Sequence, residues 1–94
     1  MKPDVSDVRY TPASETKVAT GLLGYTSFLI DGSIRVDGVQ VRRTRDGRLT
    51  LSFPSHLDHG GREHPYVHPI DDKARVAIEH AVFEALGLRQ EVAR

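Results

Sequence analysis

Ninety-four residues suffice for one domain with one modest core. Apolar residues make up 38% and charged residues 28% of the chain, which excludes compositional disorder. Thirteen Lys and Arg balance thirteen Asp and Glu and there is no Cys, which excludes a globally basic nucleic-acid binder, a disulfide framework and a thiolate nucleophile.

The first predicted strand runs from Val5 to Tyr10, with Val8 and Tyr10 on one face at period two. The residues before Val5 are expected to fray. Pro12 ends this strand because it lacks a ladder donor. Lys17 to Tyr25 reads as a second strand, whose two glycines suggest a bulge or a close backbone approach. Phe28 to Val36 is the clearest strand, with Phe28, Ile30, Ile34 and Val36 on one face. Asp37-Gly38 reads as a turn, and Val39 and Val41 alternate with Gln40 and Arg42 beyond it. Thr44-Arg45-Asp46-Gly47 is a second turn, followed by the alternating run Leu49, Leu51, Phe53. Together these predict an antiparallel meander of about five strands.

Pro54 to Ile70 holds three prolines and four of the five histidines and is predicted to be a long loop. Asp71 to Leu86 is predicted to be a helix. Two acids stand at its start, Gly87 just past its end, and an apolar stripe of Ala74, Ile78, Ala81, Val82, Ala85 and Leu86 runs along it. Residues 89–94 read as a frayed tail. The expected architecture is α+β, one domain over 1–94, with one C-terminal amphipathic helix laid on one face of an antiparallel sheet. One helix leaves a second face. Leu23, Tyr25 and Leu29 give that face apolar character, and a homodimer built on the sheet is the expected solution. No apolar run approaches the ~20 residues of a membrane span, and no signal peptide follows Met1, so the expected location is cytoplasmic.

Three side-chain groupings could carry chemistry. The stretch Arg35–Arg48 has five arginines against two aspartates, a net charge of +3, whereas Asp71–Leu86 is net −2. Arginines on a hairpin tip can fork onto phosphate oxygens, although a charged edge also serves to prevent strand pairing. His56, His59, His64 and His68 are metal-ligand types, but they match no zinc signature and lie in a Pro/Gly loop without Cys, which favours structural roles. Ser52 or Ser55 with His56 and Asp58 has the composition of a hydrolytic set, yet no nucleophile-elbow motif is present and no catalysis is expected. His68-Pro69-Ile70 reads as a junction that keeps the helix from starting earlier.

The order and spacing of several short motifs carry a resemblance. Ser6-Asp7-Val8-Arg9, Ile34-Arg35-Val36 with Asp37-Gly38, Phe53-Pro54-Ser55, His68-Pro69-Ile70, and Ala74-Arg75 with Ile78, Ala81 and Val82 in the helix together resemble the stage V sporulation protein G (SpoVG) family over Val5–Leu86. The resemblance implies a homodimeric regulator of septation, sporulation or virulence genes that binds DNA and also RNA, is not an enzyme and needs no cofactor. Members of that family carry a basic pair directly after Pro-Ser. This chain has His56 and Leu57 there, and a longer span before Phe53 that brings Arg42, Arg43 and Arg45. The expectation is that the basic surface has moved onto this hairpin. Arg42, Arg43, Arg45 and Arg48 would bind phosphates, with His56 and Arg62 as weaker partners. The alternative is a non-enzymatic protein-interaction module of the same fold that has lost nucleic-acid binding. Neither reading involves a membrane or a small-molecule substrate.

Overall fold

A computed structural model describes residues 3–88. β1 (Val5–Pro12), β2 (Leu22–Ile30), β3 (Ile34–Arg43) and β4 (Leu49–Ser52) form one antiparallel sheet in that order. A short helix α1 (Glu15–Val18) links β1 to β2, and α2 (Asp72–Leu86) ends the fold. The meander and the C-terminal helix are as expected. The strands divide differently, four in the main sheet and two in a separate hairpin of β5 (Ser55–Leu57) and β6 (Glu63–Pro65). Pro54–Ile70 is therefore not simply a loop. Among the described residues no helix is long and apolar enough to cross a membrane.

Of three Asp-Gly pairs, two make turns and one a bulge. Asp31-Gly32, expected inside a strand, is the β2–β3 turn, with both residues at positive φ (52° and 65°). Splitting the expected Phe28–Val36 strand there sets Phe28 opposite Val36, so apolar side chains meet across the turn. Asp46-Gly47 lies in the β3–β4 turn as expected, with Gly47 at φ 87°. Asp37-Gly38, expected as a turn, is a bulge inside β3. Val36 pairs with Phe28 and Val39 with Thr26, so two residues face Ser27 alone, and Gly38 sits at φ 71°.

The expected Lys17–Tyr25 strand starts only at Leu22. Glu15–Val18 instead closes one helical turn through Val18 N–H to the Ser14 carbonyl (2.9 Å) and Ala19 N–H to that of Glu15 (3.1 Å). No residue of α1 is buried, so no packing holds the segment extended. Gly24 meets both expectations for it. The register slips between Leu22 and Gly24, and the Tyr10 ring lies over the glycine while its hydroxyl donates to the Leu23 carbonyl (2.9 Å).

α2 packs on the face that carries Phe28, Val36, Val39, Val41 and Leu49. Phe28, Val39, Val41 and Val82 are 0% exposed, and each such side chain contributes roughly 1.5–3 kcal/mol by leaving water. The helix buries Ile78, Val82, Phe83 and Glu79. The inward face is therefore turned toward Phe83, which the expected stripe omitted, while Ala85 is exposed. Glu79 is only 8% exposed. Its carboxylate accepts from Arg75 Nη1 (3.0 Å) and from the Leu51 backbone N–H (3.2 Å) on the outer edge of β4. Asp71 caps the helix by accepting from the Ala74 N–H (2.8 Å), and Gly87 ends it in the left-handed region with Leu88 N–H bonded to the Phe83 carbonyl (2.9 Å). Asp4, placed by the sequence in a frayed leader, is instead held by a reciprocal pair of bonds with Asp31 (2.7 and 3.0 Å). The expected frayed tail at 89–94 lies outside the described residues.

Gly24→Ala should be strongly destabilising. The added Cβ would lie 2.6 Å from the Thr11 carbonyl oxygen and from Tyr10 Cζ and Oη, and the carbonyl cannot swing aside. Overpacking of this kind costs about 1–3 kcal/mol. A thermal melt of the variant should show a lower midpoint, and an unchanged midpoint would refute the close approach.

Candidate nucleic-acid interface

The β3–β4 turn is tied from within. Thr44 N–H donates to the Arg48 carbonyl (2.8 Å), and the Thr44 hydroxyl accepts from the Arg48 N–H (3.1 Å) and bonds Asp46. Arg43 Nη1 donates to the Gly47 carbonyl (2.8 Å). The Thr44 hydroxyl, with Arg48 nearby, holds the Asp46 carboxyl below the ordinary Asp range. The turn's one acid is thus engaged by the turn itself.

The six residues expected to bind nucleic acid do not form one plane. Successive strand residues face opposite sides. Arg42 lies opposite Thr50 on the face away from α2, with Nη1 on Gln40 Oε1 (3.0 Å). Arg43 lies opposite buried Leu49 on the helix side. Arg45 is exposed at the tip. Arg48 is exposed and lines a concavity of about 740 Å³ between β4 and α2 with Val76, His80, Phe83 and Leu88. The other basic groups on that rim already have acids, Arg75 with Glu79 and Asp72, His80 with Glu84. The structure therefore gathers Arg43, Arg45 and Arg48 around one turn and sets Arg42 on the opposite face of the sheet. A period-two reading of β3 would have separated Arg42 from Arg43.

His56 and Arg62 lie on the β5–β6 hairpin. His56 pairs with His64 across the strands and stacks on Tyr66, with ring centroids 4.8 Å apart and planes 27° apart. The His64 ring lies tilted beside His56 with centroids 5.7 Å apart. His64 Nε2 meets Asp58 Oδ2 at 2.7 Å, and Asp58 Oδ1 accepts from the Gly60 and Arg62 N–H groups, both at 2.9 Å. Asp58 is lowered below the ordinary Asp range, first by the His64 bond and then by the Arg62 and Gly60 amides. The Ser55 hydroxyl donates to Glu63 Oε1 (2.6 Å), so the Ser55, His56, Asp58 set is not assembled for nucleophilic attack. Among the described residues no three His, Asp or Glu side chains converge as a metal-binding set. The Tyr66 stack and the Asp58–His64 pair were not read from the sequence, because pairing across a hairpin is invisible until the register is known.

The face of the sheet away from α2 carries rows of directly opposed side chains. One row is Thr11, Tyr25, Gln40 and Ser52, a second is Leu22, Arg42 and Thr50, and a third is Ser6, Leu29 and Arg35. Asp7, at φ 46° in a β1 bulge, bridges Arg9 (3.0 Å) and Arg35. Leu23, expected on this face, packs against the core instead, because the bulge beside Gly24 turns it over and sets Leu22 in the row with Arg42.

No protein-family model matches the chain, and no curated protein matches it significantly.

Because the folded carboxyl of Asp58 is lowered, its contribution to hairpin order is full above the ordinary Asp value of about 3.9 and is lost as pH falls through the lower folded value. Protection of the Gly60 and Arg62 amides, taken relative to the unstructured chain at the same pH, should therefore fall on acidification. Asp58→Ala should leave both amides unprotected at every pH and abolish that acid transition. An acid profile identical in the variant would mean that another group holds the turn.

Proposed function

We propose that this chain is a homodimeric, non-enzymatic nucleic-acid-binding regulator of the SpoVG type, acting in the cytoplasm on septation or sporulation genes as the resemblance implies. The observation that carries the reading is the arginine-bearing β3–β4 turn. Arg45 and Arg48 are exposed there, Arg43 is anchored beside them, and the only acid among them is occupied by Thr44. Phosphate oxygens would meet fixed guanidinium donors at this turn. His56 and Leu57 replace the family's basic pair. His56 is committed to a ring stack and Leu57 is 69% exposed, so that position suits an apolar contact better than a phosphate.

The dimer is better assigned to the β5–β6 arm than to the sheet face. Leu57, Tyr66, Val67 and Ile70 are exposed on and beside this hairpin, Ile70 at 84%. No residue from Ser55 to Ile70 is buried, and two three-residue strands are marginal on their own in water. A second copy covering the arm would supply the missing apolar contact. The same exposed patch favours the second reading, an interaction module whose arm binds a different protein.

Arg45→Ala with Arg48→Ala should weaken binding to all sequences and flatten the salt slope by at most about two, one per phosphate contact. Wild-type protein that shifts neither DNA nor RNA at low salt would leave only the interaction module. Sedimentation equilibrium tests the arm separately. Wild type should run as a dimer at micromolar concentration and Leu57→Asp with Ile70→Asp as a monomer. A monomeric wild type, or a dimer indifferent to both changes, would overturn the assignment.

A further inference from the structure

The sheet face away from α2 holds a shallow dent of about 180 Å³. The Asp37-Gly38 bulge forms one wall, and residues of β1 and β2, among them Arg9, Thr11, Tyr25 and Ser27, line the remainder. The dent is open to solvent and admits a small planar group such as a heterocycle. The bulge makes the depression, because Gly38 adds no side chain over Ser27 and a Cβ built on it would meet nothing within 4 Å.

The groups around the dent have complementary hydrogen-bonding characters. Asp37 is exposed and accepts only, whereas Arg9 donates only. The hydroxyls of Thr11, Ser27 and Tyr25 can do either. Ser27 Oγ already accepts from Arg35 Nη1 (3.1 Å), which leaves its proton free to point outward. The row through Tyr25 continues as Gln40 and Ser52, two more neutral groups. Arg42 follows on the next row, and its side-chain partner is neutral Gln40, so its full positive charge remains on this face.

We propose that this face binds a single-stranded stretch of nucleic acid, with one unpaired base seated in the dent against Tyr25 and the adjoining phosphate on Arg42. The proposal rests on the nucleic-acid reading above and names the strand state and the subsite. Charge decides against a duplex on this face. Arg9, Arg35 and Arg42 are opposed by Asp7 and Asp37, which leaves too little positive charge to track two backbones. Aromatic stacking and neutral hydrogen-bonding rows are the equipment for bases whose edges and faces are open. Asp37 selects bases that present an exocyclic amine.

The test is fluorescence anisotropy at low salt with a mixed-sequence single strand of about ten nucleotides, as DNA and as RNA, and with the matching duplex. Tyr25→Ala should cut single-strand affinity about tenfold or more and leave duplex affinity unchanged. Tyr25→Phe, which keeps the ring, should stay within about twofold of wild type. Asp37→Ala should reduce the preference for amine-bearing bases. Amide shifts recorded on wild type during titration with the single strand should centre on Tyr25, Ser27 and Gly38, which keeps the test decisive if Tyr25→Ala does not fold. Wild type that binds no oligonucleotide ends the nucleic-acid reading itself. Wild type that binds while Tyr25→Ala matches it, or with shifts confined to the Arg45 turn, overturns the subsite alone. Tyr25→Ala that binds normally but sediments as a monomer would assign the face to a second copy instead.

Discussion

The fold depends on one helix closing one side of a four-stranded sheet, and Glu79 fixes where that helix sits. A carboxylate at 8% exposure is tolerable only when its oxygens are engaged, and both are, by the Arg75 guanidinium and the Leu51 N–H. The second bond reaches the outer edge of β4, where an unpaired amide would otherwise invite another strand. Helix placement and edge protection are thus one interaction. It also sets the polarity of the molecule. With α2 spent on the Phe28–Val41 side, no second helix of comparable length covers the other face among the described residues, and that face is built from serine, threonine, glutamine and arginine around Leu22, Tyr25 and Leu29.

The sequence was most legible where periodicity and caps act locally. Asp71 and Gly87 bound the helix because a carboxylate satisfies an orphan amide and a glycine tolerates the left-handed residue that ends the turn. The Leu49–Leu51 alternation and the turn before it needed no tertiary knowledge. The errors cluster where one dipeptide has several solutions. Asp-Gly permits positive φ at Asp31-Gly32, Asp37-Gly38 and Asp46-Gly47 alike, and whether it becomes a turn or a bulge depends on which apolar partners then face each other. Turning at 31–33 aligns Phe28 with Val36 and Thr26 with Val39, and burial of those pairs decides the register. A single sequence lists the options without the cross-strand energies that choose among them.

The candidate site was legible in composition and illegible in arrangement. The arginine-rich span does form a projecting turn, but its guanidiniums serve different ends. Arg43 braces the Gly47 carbonyl, Arg42 rests on Gln40, and Arg35 is held by Asp7, while Arg45 and Arg48 remain exposed at and beside the tip. Counting charges along a strand overstates any one surface, because alternate residues look in opposite directions. The histidines follow the same logic. Structural roles were the expectation for the four in one segment, and register and stacking set the partners, His56 with Tyr66 and His64 with Asp58.

Among the described residues two surfaces remain without a partner, and their chemistries differ enough to consider them separately. The β5–β6 arm exposes Leu57, Tyr66, Val67 and Ile70 on a hairpin too short to be rigid by its own ladder, and apolar area of that kind gains most from a protein surface that excludes water. The open sheet face carries hydroxyls, an amide, guanidiniums and two carboxylates, several of which already bond one another. A second sheet pressed onto it would have to desolvate Arg42, whose side-chain partner is the neutral Gln40. A flexible anionic strand meets that face at lower cost, since it brings its own acceptors and leaves the guanidiniums partly wet. The bulge at Gly38 strengthens the distinction, because a dent in the face spoils a flat sheet-to-sheet contact and suits a single inserted ring.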